Sequence, residues 1–205
     1  MAFDRLRWSS ISRRSRRYWE RSSVFVPATR RTLRLLECAP SVEAVSEIDP
    51  KEFRNVLGHF PTGVTVVTGM DGDTPVGLTI GSFTSVSLDP PMVGFLPTTN
   101  SSSWAAMSAS GRFCVNVLGD TQGDVCWAFA KSGNEDERFS NLAWHASPLG
   151  SPVIDGSLAW IDCEVESVTE MGDHYFVLGR VQSLAAGAGG PLLFFKGGLG
   201  GFSPA

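Results

Sequence analysis

Residues 158–168 read LAWIDCEVESV, and this stretch decides the fold class. Apolar side chains at Ile161, Cys163 and Val165 alternate with three acidic side chains, the first of which is Asp162. Successive side chains of a β-strand point to opposite faces, so the alternation predicts a long strand with one buried and one solvated face. It places Asp162 and the two acids that follow it in water.

Further short strands are predicted on both sides of this stretch. Met171-Gly172-Asp173 is a turn signal, after which a return strand begins at His174 and continues to about Ser183. Helices are few, and one opens at Asp49-Pro50, where Asp is a good N-cap and Pro suits the first helical position. Many short strands with few helices indicate a mainly β fold, an antiparallel barrel or sandwich. The other predicted strands span residues 64–68, 76–80, 92–96, 113–117 and 192–196, and the other helices residues 100–109 and 121–130.

Composition narrows the class of protein. The chain has 205 residues, of which 42% are hydrophobic and 19% charged, as expected for one globular domain. Its longest apolar runs fall far short of the roughly 18 residues that a membrane helix needs, so no membrane role is predicted. The four cysteines form no C-x-x-C pair, which favours reduced thiols in a cytoplasmic protein and predicts no metal site.

The charge is distributed unevenly along the chain. Ten of the 17 basic residues are arginines between Arg5 and Arg34, whereas from residue 35 onward 7 basic residues face 19 acidic ones. We interpret residues 1–45 as a disordered Arg-rich extension and residues 46–205 as the domain. A transit peptide is one alternative. A cationic arm for nucleic acid is another, but no aromatic-plus-basic pattern supports it.

Common hydrolytic and nucleotide motifs are missing. The sequence has no G-x-S-x-G elbow and no H-E-x-x-H pair, and its three histidines lie far apart. The glycines at 198–201 do not open a strand–helix unit and carry no weight as a dinucleotide motif.

Two neighbouring stretches are instead rich in small and hydroxylated residues. Residues 75–87 would let a flat heterocycle lie against a strand, where main-chain groups and hydroxyls satisfy its polar atoms. Residues 100–103 then begin a helix, whose free N–H groups suit an anion. Together they fit a mononucleotide such as FMN. A Ser/Thr-rich sheet face beside an ordinary helix cap explains the same residues and stays open at this point.

Over about residues 46–200 the chain resembles the flavin reductases that supply reduced flavin to two-component monooxygenases. The resemblance is closest to the reductases of aromatic and steroid-ring hydroxylases. Seven motifs carry it in the same order along the chain. They are FRxxLGxFPTGVTVVT at 53–68, GLTxxSFxSVSLDPP at 77–91, SGRFxVNVL at 110–118, RF at 138–139, GSP at 150–152, GDH at 172–174 and PLLFF at 191–195.

The resemblance implies a six-stranded antiparallel Greek-key split barrel with a few short flanking helices, assembled as a homodimer. It implies hydride transfer from NADH or NADPH to FMN or FAD, with reduced flavin passed to a monooxygenase that hydroxylates an aromatic substrate. His174 of the GDH motif is the expected catalytic residue. The expected flavin contacts are Pro75, Val76, Gly77, Leu78, Thr79, Gly81, Ser82, Leu96, Pro97, Thr98, Ser102, Ser103 and Phe129, and the expected nicotinamide contacts are Phe194, Phe195, Lys196 and Gly197.

Two positions depart from the family pattern. Many relatives carry a basic residue where this chain has three serines at 101–103, which puts flavin affinity and the choice between FMN and FAD in question. Lys196 replaces a common arginine, and its ammonium is a point charge rather than a planar fork. Two alternatives stay open: a non-catalytic FMN-binding electron carrier on the same barrel, and a pyridoxamine-phosphate-type oxidase. The oxidase needs a basic cluster that the sequence does not display.

Overall fold

The computed structural model describes residues 48–131, 133 and 135–204, so the predictions for residues 1–45 lie outside the described residues. Within that part the chain is mainly β, with short α-helices. The helices are α1 (Pro50–Leu57), α2 (Ser102–Ser108) and α3 (Gly123–Ala130). The strands are β1 (Thr62–Gly63), β2 (Thr65–Asp71), β3 (Thr74–Ile80), β4 (Thr84–Leu88), β5 (Pro91–Phe95), β6 (Arg112–Val117), β7 (Trp144–Ala146), β8 (Pro152–Ile154), β9 (Ala159–Met171), β10 (His174–Ala186), β11 (Leu193–Phe195) and β12 (Gly198–Gly200).

The main sheet is antiparallel throughout and has the strand order β3-β2-β6-β9-β10-β5-β4. Its centre is the long hairpin of β9 and β10, and the turn predicted after Met171 joins these two strands. The predicted mainly β antiparallel class is confirmed. The predicted count of six strands is not, because this sheet has seven. The extra strand, β4, comes from a Ser/Thr-rich run that sequence analysis assigned to ligand binding rather than to the sheet.

The connection between β3 and β4 forces the sheet to curl. These strands lie at opposite edges of the seven-stranded sheet, yet only residues 81–83 join them. Strands are spaced by about 4.8 Å, so in a flat sheet the two edges would lie about 29 Å apart. The short link spans at most about 15 Å. The sheet therefore wraps until its edges approach each other, and because β3 and β4 share no ladder, the barrel is split at residues 81–83.

The interior of the barrel is filled by aromatic and branched side chains. Phe95 is fully buried and packs edge-on against Phe113, with ring centroids 5.1 Å apart, and against Trp104 of α2, at 5.6 Å. Val67 and Val177 are also fully buried in this cluster. These contacts fix the curvature of the sheet and the position of α2, which borders the candidate site.

The prediction that Asp162 faces water is wrong. Its side chain is fully buried, because the loop around Leu149 and the β7–β8 hairpin cover the outer face of the sheet at the start of β9. One carboxylate oxygen accepts a hydrogen bond from Leu149 N at 2.8 Å. Burial raises the pKa of Asp162, and that hydrogen bond and the charge of Arg112 oppose the rise. Strand alternation distinguishes two faces of a sheet, but not a bare face from a covered one.

Helix α1 begins as predicted but buries none of its residues within the chain. The Asp49 carboxylate accepts a hydrogen bond from Lys51 N at 2.9 Å, and Pro50 occupies the first turn. Its apolar residues Phe53, Val56 and Leu57 are all more than half exposed. Among the described residues, no helix combines the length and the apolar character required to cross a membrane.

Candidate functional site

A hollow of about 470 Å³ opens at the split in the barrel. We call it the neutral hollow, because its lining carries no charge apart from a titratable histidine. It gathers eight of the predicted site residues from three separate segments. The lining consists of Leu78, Thr79, Ile80, Gly81, Ser82, Leu96, Pro97, Thr98, Met171 and His174.

Side-chain hydroxyls hold the walls of the neutral hollow in place. Ser82 Oγ accepts a hydrogen bond from Leu96 N at 3.0 Å, which ties the link between β3 and β4 to the end of β5. Thr79 Oγ1 donates to Cys126 O of α3 at 2.8 Å. Both hydroxyls are therefore used to build the walls, and the open surface is left mainly to backbone and apolar atoms.

His174 is held at the edge of the neutral hollow by a backbone strap. It forms a β-bridge with Thr98, and Thr99 N donates to Asp173 O at 3.0 Å. The ring nitrogen Nδ1 of His174 lies 2.7 Å from Asp173 Oδ1. That hydrogen bond and the charge of the imidazole lower the pKa of Asp173. The Asp173 carboxylate pairs with Nδ1 at the surface, and Nε2 has no partner among the described residues.

A second hollow of about 430 Å³ continues from the first and shares Leu78, Thr79 and Thr98 with it. We call it the cationic hollow, since Lys131 and Arg138 both line it. It brings the predicted residues Ser102, Ser103 and Phe129 together with charges from a distant segment. Its other lining residues are Asn100, Ser101, Ala130 and Glu135.

Arg138 is the candidate site residue that the sequence prediction lacks. Its side chain is only 5% exposed, and Nη1 donates to Gly77 O at 2.7 Å and to Ser103 Oγ at 2.9 Å. Nη2 donates to Lys131 O, whereas the buried Nε has no partner among the described residues. Burial lowers the pKa of Arg138, and the charge of Glu135 partly offsets this. The one available signal is the short RF motif at 138–139.

Arg138, 35 positions after Ser103, places a cation beside the three serines at 101–103. The Ser101 hydroxyl is used within the fold, because its Oγ caps α2 by accepting a hydrogen bond from Trp104 N at 3.2 Å. Ser103, by contrast, links α2 to Arg138.

Position 77 has no room for a side chain, because Phe129 packs directly on Gly77. A Cβ atom at Gly77 would lie 2.7 Å from Phe129 Cε1, a distance that side chains do not tolerate. Phe129 is 2% exposed and packs edge-on against Phe139, with ring centroids 5.1 Å apart. The contact between Gly77 and Phe129 fixes the position of β3 against α3, next to the Gly77 carbonyl that Arg138 binds.

Some predicted site residues lie elsewhere. Phe194 and Phe195 belong to the separate sheet β1-β11-β12, Lys196 and Gly197 form its tight turn at φ of 48° and 83°, and none of the four lines either hollow. Pro75 pairs with Met70 at the far end of β3 and lines neither hollow. Val76 and Gly77 border a smaller hollow of about 290 Å³, which shares Ser102, Ser103, Glu135 and Arg138 with the cationic hollow. In the described part of the chain, no three His, Cys, Asp or Glu residues group as a metal site would need.

Comparison with known proteins places this arrangement in a family. The model of the flavin reductase like domain matches residues 57–203. A flavin reductase of Pseudomonas putida is 51% identical over 160 residues, which is 77% of this chain and 93% of that protein. The reductase subunit HsaB of a flavin-dependent monooxygenase from Mycobacterium tuberculosis is 50% identical over 162 residues, 78% of this chain and 86% of that protein.

Solved structures agree with the sequence relatives. A homologue of nitrilotriacetate monooxygenase component B from Mycobacterium thermoresistibile is 47% identical with a TM-score of 0.72, covering 75% of this chain and 87% of that one. An NADH:FAD oxidoreductase of Streptomyces globisporus, in complex with NAD and FAD fragments, is 36% identical with a TM-score of 0.71, covering 77% and 96%. The chain therefore belongs to the flavin reductase like domain family.

Proposed function

We propose that this chain is a flavin reductase that oxidises NADH, reduces FMN and releases the reduced flavin to a partner monooxygenase. The observation that carries the proposal is the pair of joined hollows, neutral at one end and cationic at the other. FMN has the same polarity, since its ring system is neutral and its phosphate is anionic. Relatives named as monooxygenase reductase subunits support the partner.

The residues at each end fit the flavin chemically. The backbone of residues 78–82 and of residues 96–98 would face the ring, whose nitrogens and carbonyls need hydrogen-bond partners. Ser102, Ser103 and Arg138 would hold the phosphate, and the unpartnered buried Nε–H of Arg138 is a donor that an anion can satisfy. When bound, the flavin supplies the hydride acceptor, so no acid–base pair is required of the chain.

His174 would hold the nicotinamide cofactor beside the flavin. Asp173 pairs with the imidazole through Nδ1, which leaves Nε2 to bind the cofactor amide or phosphate. Because hydride transfer needs the reacting atoms about 3–3.5 Å apart, positioning is the main contribution of the protein. The expected nicotinamide contacts at Phe194, Phe195, Lys196 and Gly197 stay a prediction.

A homodimer is part of the proposal. The apolar residues Phe53, Val56, Leu57 and Phe60 are all more than half exposed, and Leu88 is 90% exposed. A surface this apolar is typical of an interface. An aromatic substrate for the partner oxygenase stays a prediction of the family resemblance. The free thiols of Cys114, Cys126 and Cys163 fit the proposed cytoplasmic location.

The test is an assay of the purified protein with NADH and FMN, followed at 340 nm and repeated with NADPH and with FAD. We expect flavin-dependent oxidation of NADH that rises with FMN concentration. Tight retention of FMN with no turnover of added flavin would instead identify an electron carrier. The absence of both binding and turnover with every cofactor pair would refute the proposed function.

A further inference from the structure

Glu135 is an acidic residue inside the cationic hollow. One of its carboxylate oxygens lies 3.6 Å from Arg138 Nη2, and the other accepts a hydrogen bond from Gly133 N at 3.0 Å. Its side chain is 36% exposed, whereas that of Arg138 is 5% exposed. The carboxylate therefore approaches the guanidinium from the open side of the hollow.

The geometry between the two residues is loose. At 3.6 Å the Arg138–Glu135 pair is longer than the hydrogen bonds that Arg138 donates to Gly77 O and Ser103 Oγ, at 2.7 and 2.9 Å. An optimal arginine–carboxylate contact is about 2.7–2.9 Å and often bidentate. Protein oxygens other than those of Glu135 thus hold Arg138 in place, and Glu135 only compensates its charge.

The surroundings of Glu135 are those that an anion of the ligand would meet. Hydrogen bonds from its own backbone N–H and from that of Gly133 lower the pKa of Glu135, and the charge of Arg138 and the Ser102 hydroxyl add smaller contributions. Lys131 and Ser103 line the same hollow. A flavin phosphate at this end would need the same guanidinium and the same serine.

We propose that Glu135 competes with the flavin phosphate for Arg138 and thereby weakens the binding of phosphorylated flavins. The inference rests on the proposed function, in which reduced flavin must leave the reductase to reach its partner. Without the carboxylate of Glu135, Arg138 and Lys131 would attract the phosphate more strongly and slow its release. Because the carboxylate acts on charge, its effect is restricted to FMN and FAD and does not extend to riboflavin, which has the same ring and no phosphate.

The test compares E135Q with wild type. Glutamine keeps an oxygen for Gly133 N and removes the charge. Its amide nitrogen takes the position that faces Arg138 Nη2, where the 3.6 Å separation is longer than a hydrogen bond, so the fold is preserved. We expect E135Q to bind FMN about fivefold to tenfold more tightly and to release it more slowly, with riboflavin affinity unchanged. The gain should shrink at high salt, since the hollow is open to solvent.

E137Q is the matched control. Glu137 lies in the same short segment, its removal changes the net charge equally, and it has no part in the charge balance of Arg138. We expect its FMN affinity to equal that of wild type. Equal or weaker FMN binding by E135Q, or an equal gain in E137Q, would overturn the inference. Wild-type protein that binds neither FMN nor riboflavin would instead refute the proposed function itself.

Discussion

The two ends of the candidate site are built in different ways. The neutral hollow is lined mostly by the backbone of two short runs, residues 78–82 and residues 96–98, which meet at the split of the barrel. The cationic hollow is assembled from three segments, and its central residue Arg138 reaches back 61 positions to the carbonyl of Gly77. The neutral hollow depends on the path of the backbone, whereas the cationic hollow depends on the side chain of Arg138.

This difference has a consequence for mutation. Backbone walls are insensitive to most side-chain changes, so the neutral hollow should tolerate substitutions that do not alter packing. The cationic hollow concentrates its contacts in one buried guanidinium, and removal of that group leaves its acceptors unpaired. We therefore expect the largest effects at Arg138 and progressively smaller ones toward the ring end.

The largest effect is expected for R138A. The variant loses the hydrogen bonds to Gly77 O, Ser103 Oγ and Lys131 O. A hydrogen bond of a charged donor contributes about 1.5–3 kcal/mol, but the three bonds of one guanidinium are not additive, and the desolvation of the buried charge offsets part of their sum. We expect a loss of about 2–3 kcal/mol in the free energy of unfolding, and about 100-fold weaker FMN binding. Urea denaturation and flavin titration measure the two effects.

R180A is the control for this prediction. Arg180 Nε lies 2.9 Å from Glu166 Oε2, closer than Arg138 to Glu135, but both side chains are about 40% exposed. Exposed pairs contribute little, so we expect an unchanged denaturation midpoint and unchanged FMN affinity. Equal losses in R180A and R138A would contradict the distinction between a buried scaffold arginine and a surface one.

Arg138 also marks the limit of what the sequence predicts. The contiguous part of the site, from Leu78 to Ser82 and from Leu96 to Thr98, is recognisable because neighbours in sequence stay neighbours along a strand or loop. Arg138 meets Gly77 only after the chain has folded around α2 and α3, and no local pattern encodes that approach. Comparison with relatives confirms the family resemblance, whereas the individual ligand contacts stay predictions.

The fold was predictable to a similar extent. Strand alternation and turn residues gave the antiparallel β class and the hairpin at Gly172. The burial of Asp162 was not predicted, because it depends on a distant loop that covers the sheet. Strand β4 was not predicted, because its serines and threonines are as typical of a ligand-binding surface as of an edge strand.

The next effect concerns the packing of Gly77 against Phe129, which lines the cationic hollow. G77A places a methyl group 2.7 Å from Phe129 Cε1 and 3.2 Å from Val67 O, so the ring or the strand must move. We expect a loss of about 1–3 kcal/mol in the free energy of unfolding. G63A is the control, because a Cβ atom there meets nothing within 4 Å. Equal thermal midpoints for the two variants would show that Phe129 yields without cost.

H174A should affect turnover rather than stability. Its imidazole is held by Asp173 at 2.7 Å beside the neutral hollow, and we expect about tenfold lower kcat/KM for NADH with unchanged FMN affinity. H145A is the control, since His145 forms a similar pair with Asp155 at 2.8 Å and lines neither hollow. Unchanged kcat and KM in H174A would remove this residue from the site.

The smallest effect is expected for S101A, and it separates capping from phosphate binding. Ser101 Oγ accepts a hydrogen bond from the backbone N of Trp104, whose ring packs against Phe95 in the core. Loss of this capping hydrogen bond should lower the free energy of unfolding by about 1 kcal/mol. Because this hydroxyl is used within α2, FMN affinity should stay within about twofold of wild type. S108A removes a hydroxyl that bonds only Ala105 O in the same helix and serves as the control for urea denaturation. If S101A bound FMN far more weakly and unfolded like wild type, Ser101 would be a ligand of the phosphate, and the cationic hollow would depend less on Arg138.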